Sequence, residues 1–192
     1  TVLIPTNDRF SVCVSTQIGC AQNCAFCRTA KMGFIRNLEA GEILEEIIRV
    51  NWYLEETGTK HSDGSLAKVT NIIFMGMGEP LNNLEQVHRV CCTLHHQKLF
   101  NLGRKRMTIS TSGVVPKIKE LVDRNTPCCL AVSLNSTNDE RRSAVMPVNK
   151  VWNIAKLLEA TDEYTRRTGN YVTFEFVLMK GITCSEEAAK EL

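Results

Sequence analysis

No stretch of this sequence is apolar for long enough to cross a bilayer as a helix, which takes about 20 consecutive residues. The opening residues, TVLIPTNDRF, lack the basic-then-apolar layout of a secretory leader. No segment repeats and none is of low complexity, which excludes a solenoid. An excess of one charge is also missing: 23 Lys and Arg stand against 21 Asp and Glu, a formal +2. That balance makes no general basic field, so a nucleic-acid reading has to rest on local groups. With 192 residues, 43% of them hydrophobic, the chain can bury a sizeable core. The expectation is a single core domain over residues 1–192.

Cysteine, by contrast, is plentiful. Nine are present: Cys13, Cys20, Cys24, Cys27, Cys91, Cys92, Cys128, Cys129 and Cys184. An odd count without a leader argues against a disulfide framework. It points to a reducing compartment, the cytoplasm or an organelle matrix. The adjacent pairs Cys91-Cys92 and Cys128-Cys129 have the wrong geometry to bridge internally. They read as small buried hydrophobes.

Strand and helix patterns alternate along the chain. FSVCVS (10–15) reads as a first strand. Helical spacing of Ile43, Leu44, Ile47, Ile48 and Trp52 predicts a helix over 41–57. Further strands are expected at 69–76, 106–111, 128–134 and 171–179. Helices are expected at 83–97, 115–124, 153–168 and 185–192. Pro116 suits the start of the third helix, and Asn153 is a candidate cap for the fourth. About five strand–helix units with apolar strands imply an α/β fold with a parallel sheet covered by helices. A closed eight-unit barrel needs roughly 250 residues. The expected fold is therefore a partial (β/α) barrel or an open sheet, and the chain reads as a piece of something longer.

Cys20, Cys24 and Cys27 crowd into eight positions as Cys-x-x-x-Cys-x-x-Cys, with no fourth cysteine beside them. Structural zinc closes four ligands. A thioredoxin-like Cys-x-x-Cys leaves Cys20 without a role. A 4Fe–4S cube held by three thiolates keeps one iron open for a ligand. The loop also follows a strand, where α/β folds place their sites.

A three-cysteine loop of this spacing after the first strand, with Phe26 before Cys27, resembles the radical SAM superfamily. In that family S-adenosylmethionine binds the open iron, and one electron cleaves it to a 5′-deoxyadenosyl radical. FMGMGEP (74–80) is similar to the family's segment for the methionyl amino group. Gly76 and Gly78 would allow close backbone approach, and Glu79 would accept from an ammonium. Taken together, VCVSTQIGC, GFIRNL, GMGEPL, STSGVVP and MPVNK resemble the RlmN-type radical SAM adenine methyltransferases. These modify carbon 2 of an adenine in 23S rRNA and, in some members, in a tRNA.

The resemblance carries residue roles with it. It implies cluster ligation by Cys20, Cys24 and Cys27, and cofactor contacts from Gly78, Glu79, Ser110, Ser133, Leu134 and Asn135. Asn135 stands where the family usually has histidine. Cys13 matches a cysteine that releases the methylated base by forming a disulfide with a methyl-carrying cysteine. No residue here matches that carrier, and Cys184, in GITCSEE, lies in the wrong context. A helical accessory domain and a glutamate ahead of Thr1 are likewise unmatched. The expectation is a catalytic core without both flanks, which binds its cofactors and does not turn over alone. The implied partners are RNA and an electron donor such as flavodoxin, with no membrane and a monomeric state. Arg28, Lys31 and Arg36, and secondarily Arg104, Lys105 and Arg106, are candidate phosphate contacts. His88, His95 and His96 read as surface or packing residues. The rivals are methylation at carbon 8 and a non-catalytic cluster- or zinc-binding RNA module.

Overall fold

Alternating burial along the strands decides the architecture. In the computed structural model, which describes residues 1–192, Val12, Ile72, Phe74, Ile109, Leu130 and Val132 are all buried. They lie on four of the five parallel strands that form most of one six-stranded sheet. The five are β2 (Arg9–Cys13), β5 (Asn71–Phe74), β6 (Met107–Thr111), β7 (Cys129–Ser133) and β8 (Val172–Glu175). An antiparallel strand, β1 (Val2–Thr6), completes the order β1-β2-β5-β6-β7-β8. Both ends of that order are free, so the sheet stays open, as a partial barrel does.

Helices α1 (Ala40–Glu56), α2 (Leu84–His95), α3 (Val115–Asp123) and α5 (Ile154–Thr168) contribute apolar stripes to one continuous core. Ile43, Ile47, Val87, Val90, Ile118, Leu121, Leu157 and Tyr164 are buried in it. Each fully buried Leu, Ile or Val contributes roughly 1.5–3 kcal/mol. The helices start where side chains satisfy their free N–H groups. Glu39 and Glu42 form a capping box at α1. Asn153 Oδ1 accepts from the Lys156 N–H at α5, which ends at Gly169 in the left-handed region (φ 69°). Tyr164 turns its hydroxyl to the Cys128 carbonyl at 3.1 Å, so its polar end is satisfied inside the core.

Several expectations need correction. The strand read as the first is the second. It is preceded by β1, joined through a turn at Asn7, whose φ is 51°. β1 is mostly exposed and contains Pro5, so it lacks the apolar signature of a covered strand. A short helix, α4 (Asp139–Val145), was not expected, because DERRSAV has little apolar periodicity. The last expected strand stops at Glu175. Trp52 is 56% exposed and does not belong to the buried face of α1. Of the paired cysteines, Cys91 and Cys128 are buried, Cys92 is exposed and Cys129 is intermediate. Neighbouring residues on a helix or strand point in different directions. A small second sheet pairs β3 (Gln17–Gly19) with β4 (Phe34–Asn37). A final short helix, α6 (Glu186–Glu191), is capped by Ser185.

Candidate cluster and cofactor site

The second sheet closes the cysteine loop at its base. Residues 20–33 leave β3 and return into β4, and Cys20 N–H donates to the Gly33 carbonyl at 3.0 Å. Gly19 makes this closure possible. Its φ is 77°, and a Cβ there would stand 1.7 Å from Gly33 O. Asn83 ties the hairpin to the sheet, its Nδ2 donating to the Thr16 and Leu38 carbonyls at 2.8 Å each. Further along, Ala25 N–H donates to the Val145 carbonyl at the end of α4, 2.9 Å away. The loop is thus fixed at both its root and its middle.

Cys20, Cys24 and Cys27 face one cavity of about 400 Å³, a size typical of a ligand pocket. Its other walls are the carboxyl ends of the parallel strands: Gly76, Gly78 and Glu79 after β5, Ser110 and Ser112 on and after β6, Ser133 and Asn135 on and after β7, and Glu175 at the end of β8. Phe26 completes the rim. Open α/β sheets place ligand sites at these strand ends.

The thiols are held as a set. Burial pushes Cys24 up to about 11, and Cys20, Cys27 and Glu79 add to the effect while Arg142 opposes it. Burial also raises Cys20, against a backbone N–H from Gln22. Metal binding to such thiols releases their protons. No three His, Cys, Asp or Glu side chains converge on a point that could hold a single ion. A shared cavity with three spaced thiols suits a cluster, in which each thiolate takes a different iron.

Glu79 is 3% exposed. Its Oε2 accepts from the Ser112 N–H and hydroxyl at 2.8 Å each, and its Oε1 from the Leu81 N–H at 3.1 Å. Burial raises its pKa, and these donors work against that rise. The two glycines before it serve the protein's own packing. A Cβ on Gly76 would meet Val14 O at 2.6 Å, and one on Gly78 would meet Gln17 Cβ at 2.7 Å. Gln17 in turn accepts from the Glu79 N–H at 2.8 Å. Close backbone approach is real here, to Val14 and to Gln17 on β3, and both glycines also line the cavity.

Asn135 is buried with φ 58°, a conformation asparagine tolerates better than most residues. Its Oδ1 accepts from the Val177 N–H at 2.9 Å and its Nδ2 contacts Met146 Sδ at 3.2 Å. Glu175 is a residue the sequence reading missed. Its Oε2 accepts from Ser110 Oγ at 2.6 Å and from Ser133 Oγ at 3.2 Å, joining two of the candidate cofactor residues. The available signal was a lone acid within the apolar run YVTFEFVLM.

Two candidates lie off the cavity. Leu134 is buried in the core. Cys13 is half-buried on β2 and does not line the cavity. Burial raises its thiol and the Met75 backbone N–H lowers it, and Met75 is part of the cavity wall. All nine cysteines are free, so no disulfide forms within this chain. Arg28 and Lys31 are exposed on the cluster loop. Arg36 is spent on a two-pronged pair with Glu42, at 2.7 and 2.8 Å. Arg104, Lys105 and Arg106 precede β6, at the strand ends remote from the cavity. His88 and His95 bond to Thr126 and the Leu102 carbonyl, in line with packing roles. No helix is long and apolar enough to cross a membrane.

Comparison with known proteins agrees with this geometry. The chain is 43% identical over 191 residues to the dual-specificity RNA methyltransferase RlmN 2 of Myxococcus xanthus, covering all of this chain and 50% of that protein. It is 41% identical over 192 residues to a probable dual-specificity RNA methyltransferase RlmN of Dictyoglomus turgidum, covering all of this chain and 53% of the relative. The chain therefore spans about half the length of the curated relatives it matches. A radical SAM methyltransferase structure from Sphaerobacter thermophilus superposes with a TM-score of 0.91 at 42% identity, over 99% of this chain and 53% of that one. The fold alone is shared with Streptococcus suis SuiB, solved bound to S-adenosylmethionine, at a TM-score of 0.51 and 15% identity over 96% of this chain and 38% of that one. The model of the radical SAM superfamily, whose cofactors are a 4Fe–4S cluster and S-adenosylmethionine, matches residues 14–192, and the chain belongs to that superfamily.

Proposed function

We propose that this chain is the catalytic core of an RNA methyltransferase that modifies carbon 2 of an adenine in 23S rRNA, and in a tRNA as a second substrate. One observation carries the reading. Eight of the ten residues marked out by sequence, three thiols and five cofactor candidates, line a single cavity at the strand ends. Cys20, Cys24 and Cys27 would hold the 4Fe–4S cluster. When bound, the cluster and S-adenosylmethionine supply a one-electron cleavage that makes a carbon radical, which an electron-poor ring carbon requires.

The chain's own residues bind, orient and exclude water. Glu79 would accept from the methionyl ammonium, held in place by Ser112 and Leu81. Ser110, Ser133 and Asn135 would meet the ribose and carboxylate, with Glu175 bracing both serines. Phe26 shields the rim. Cys13, linked to the cavity wall through Met75, would serve as the releasing thiol, with its partner cysteine outside this chain. Arg28 and Lys31, exposed beside the cavity, would receive RNA phosphates. An adenine would have to leave its stack to reach the site. A flavodoxin-like donor in the cytoplasm would supply electrons to a monomer.

The test is methylation of 23S rRNA by a full-length protein containing this sequence, with mass analysis of the adenine. A methyl at carbon 2 is the expected result. A methyl at carbon 8, or none from cluster-loaded protein, would refute the reading.

A further inference from the structure

Arg142 on α4 is the largest fully buried side chain, with 0% exposure. Its guanidinium makes four hydrogen bonds. They run to the carbonyls of Leu134 (2.8 Å), Ser112 (2.7 Å) and Ser133 (3.1 Å), and to Asn149 Oδ1 (2.8 Å). Every one of these acceptors is neutral. None of the protein's ion pairs includes Arg142. A buried charge is costly unless an opposite charge answers it. The fork geometry explains how the side chain is held, and leaves open what balances its charge.

The surroundings indicate where that balance lies. One turn along α4, the Val145 carbonyl grips Ala25 N–H, next to Cys24 in the cluster loop. Met146, whose N–H donates to the Arg142 carbonyl, and Ser112, whose carbonyl accepts from the guanidinium, both line the cavity. Ser112, which accepts from the guanidinium through its carbonyl, donates its N–H and hydroxyl to Glu79 on the cavity wall, so the charge sits directly behind that wall. Asp139, the carboxylate that acts on Arg142, lies at the exposed start of α4 and spends its oxygens on Asn149 and the Ile154 N–H.

We propose that Arg142 is a fixed positive counter-charge to the thiolate-bound cluster, a positioning residue that raises the cluster's reduction potential and thereby favours the reduced state. The inference rests on the cluster assignment made above. Adding an electron adds negative charge, and a desolvated cation nearby stabilises the product more than the reactant.

The experiment is redox titration of the anaerobically reconstituted chain, followed by the cluster's electron paramagnetic resonance signal, for wild type and three variants. Arg142→Met removes the charge at similar length. Arg142→Lys keeps the charge and loses the fork. Asp139→Asn leaves the fork in place and removes a competing anion. Arg142→Met should lower the reduced-to-oxidised ratio at fixed potential by about tenfold, about 59 mV for a one-electron couple. Arg142→Lys should stay near wild type, and Asp139→Asn should shift slightly the opposite way. A purely structural Arg142 would lower the melting temperature of both arginine variants and leave the potential of each loaded cluster unchanged, which would overturn the proposal. If Arg142→Met does not fold, Arg142→Gln, which keeps hydrogen-bond donors without the charge, is titrated in its place: a fall in potential supports the proposal, and no change refutes it. Failure of wild type to assemble any cluster would instead refute the cluster assignment itself.

Discussion

Cys91 and Cys128 can be set against Cys20, Cys24 and Cys27. The first two lie in the helix–sheet core on α2 and beside β7, among apolar side chains. The other three lie on a loop without a regular ladder, held by a hairpin root and one bond to α4. Burial pushes thiols up in both places, Cys128 to about 12 and Cys24 to about 11. The difference is therefore one of company rather than acidity. The core thiols face packed hydrocarbon, whereas the loop thiols share a cavity with two carboxylates, Glu79 and Glu175, and several hydroxyls. The same residue type packs in one region and is available as a ligand in the other.

The sharpest way to break this comparison is to exchange the roles. Cys24→Ala should abolish the reduced-cluster signal of reconstituted protein and leave the melting temperature of the apo form nearly unchanged. Retention of a full 4Fe–4S complement by that variant would erase the distinction. Gly19→Ala attacks the loop's root instead. Its new Cβ has no room against Gly33 O, and its φ is unfavourable for alanine. Backbone strain of this kind costs on the order of 1–3 kcal/mol before the clash is counted. Denaturant melts should show at least that loss, with iron uptake falling alongside.

A smaller effect is expected on the core side. Cys91→Ser places a hydroxyl among apolar side chains. The cost should be about 1–3 kcal/mol in a denaturant melt, with iron content and cofactor response unchanged. A loss of cluster binding in this variant would mean that the two regions are coupled.

The smallest effect concerns the strut between β4 and α1. Arg36 first, and then the Glu39 N–H, hold Glu42 down to about 2, from an ordinary 4.5. A carboxylate held low in the folded state stabilises fully above its unfolded value and loses that contribution as pH falls through the folded one. Glu42→Gln should therefore melt below wild type at pH 7, and the gap should close between about pH 4.5 and pH 2. The pair is exposed and screened, so the difference should be small. A gap that persists at pH 2 would contradict the assignment.

What the sequence made legible follows the same division. Periodicity located the parallel strands and the long helices, because burial on one face leaves a repeating apolar mark. Spacing singled out the cysteine loop, because three thiols in eight positions have few other uses. Glu175 and Arg142 escaped notice, since their roles depend on strands and loops brought together from distant parts of the chain. The β1–β2 hairpin and α4 escaped for the opposite reason: they are short and bear little apolar pattern. Gly76 and Gly78 were read as positions of close backbone approach; Val14 and Gln17 stand where a Cβ would go, and both glycines also line the cavity. Sequence marked those positions as crowded without telling which neighbour crowds them.

The central claim is that three loop thiols hold a 4Fe–4S cluster with one iron open to S-adenosylmethionine. The most direct measurement is low-temperature electron paramagnetic resonance of the chain reconstituted anaerobically with iron and sulfide, then reduced, with and without the cofactor. The account predicts a reduced 4Fe–4S signal that changes shape when S-adenosylmethionine is added. A cluster signal indifferent to the cofactor, or uptake of zinc alone, would contradict it.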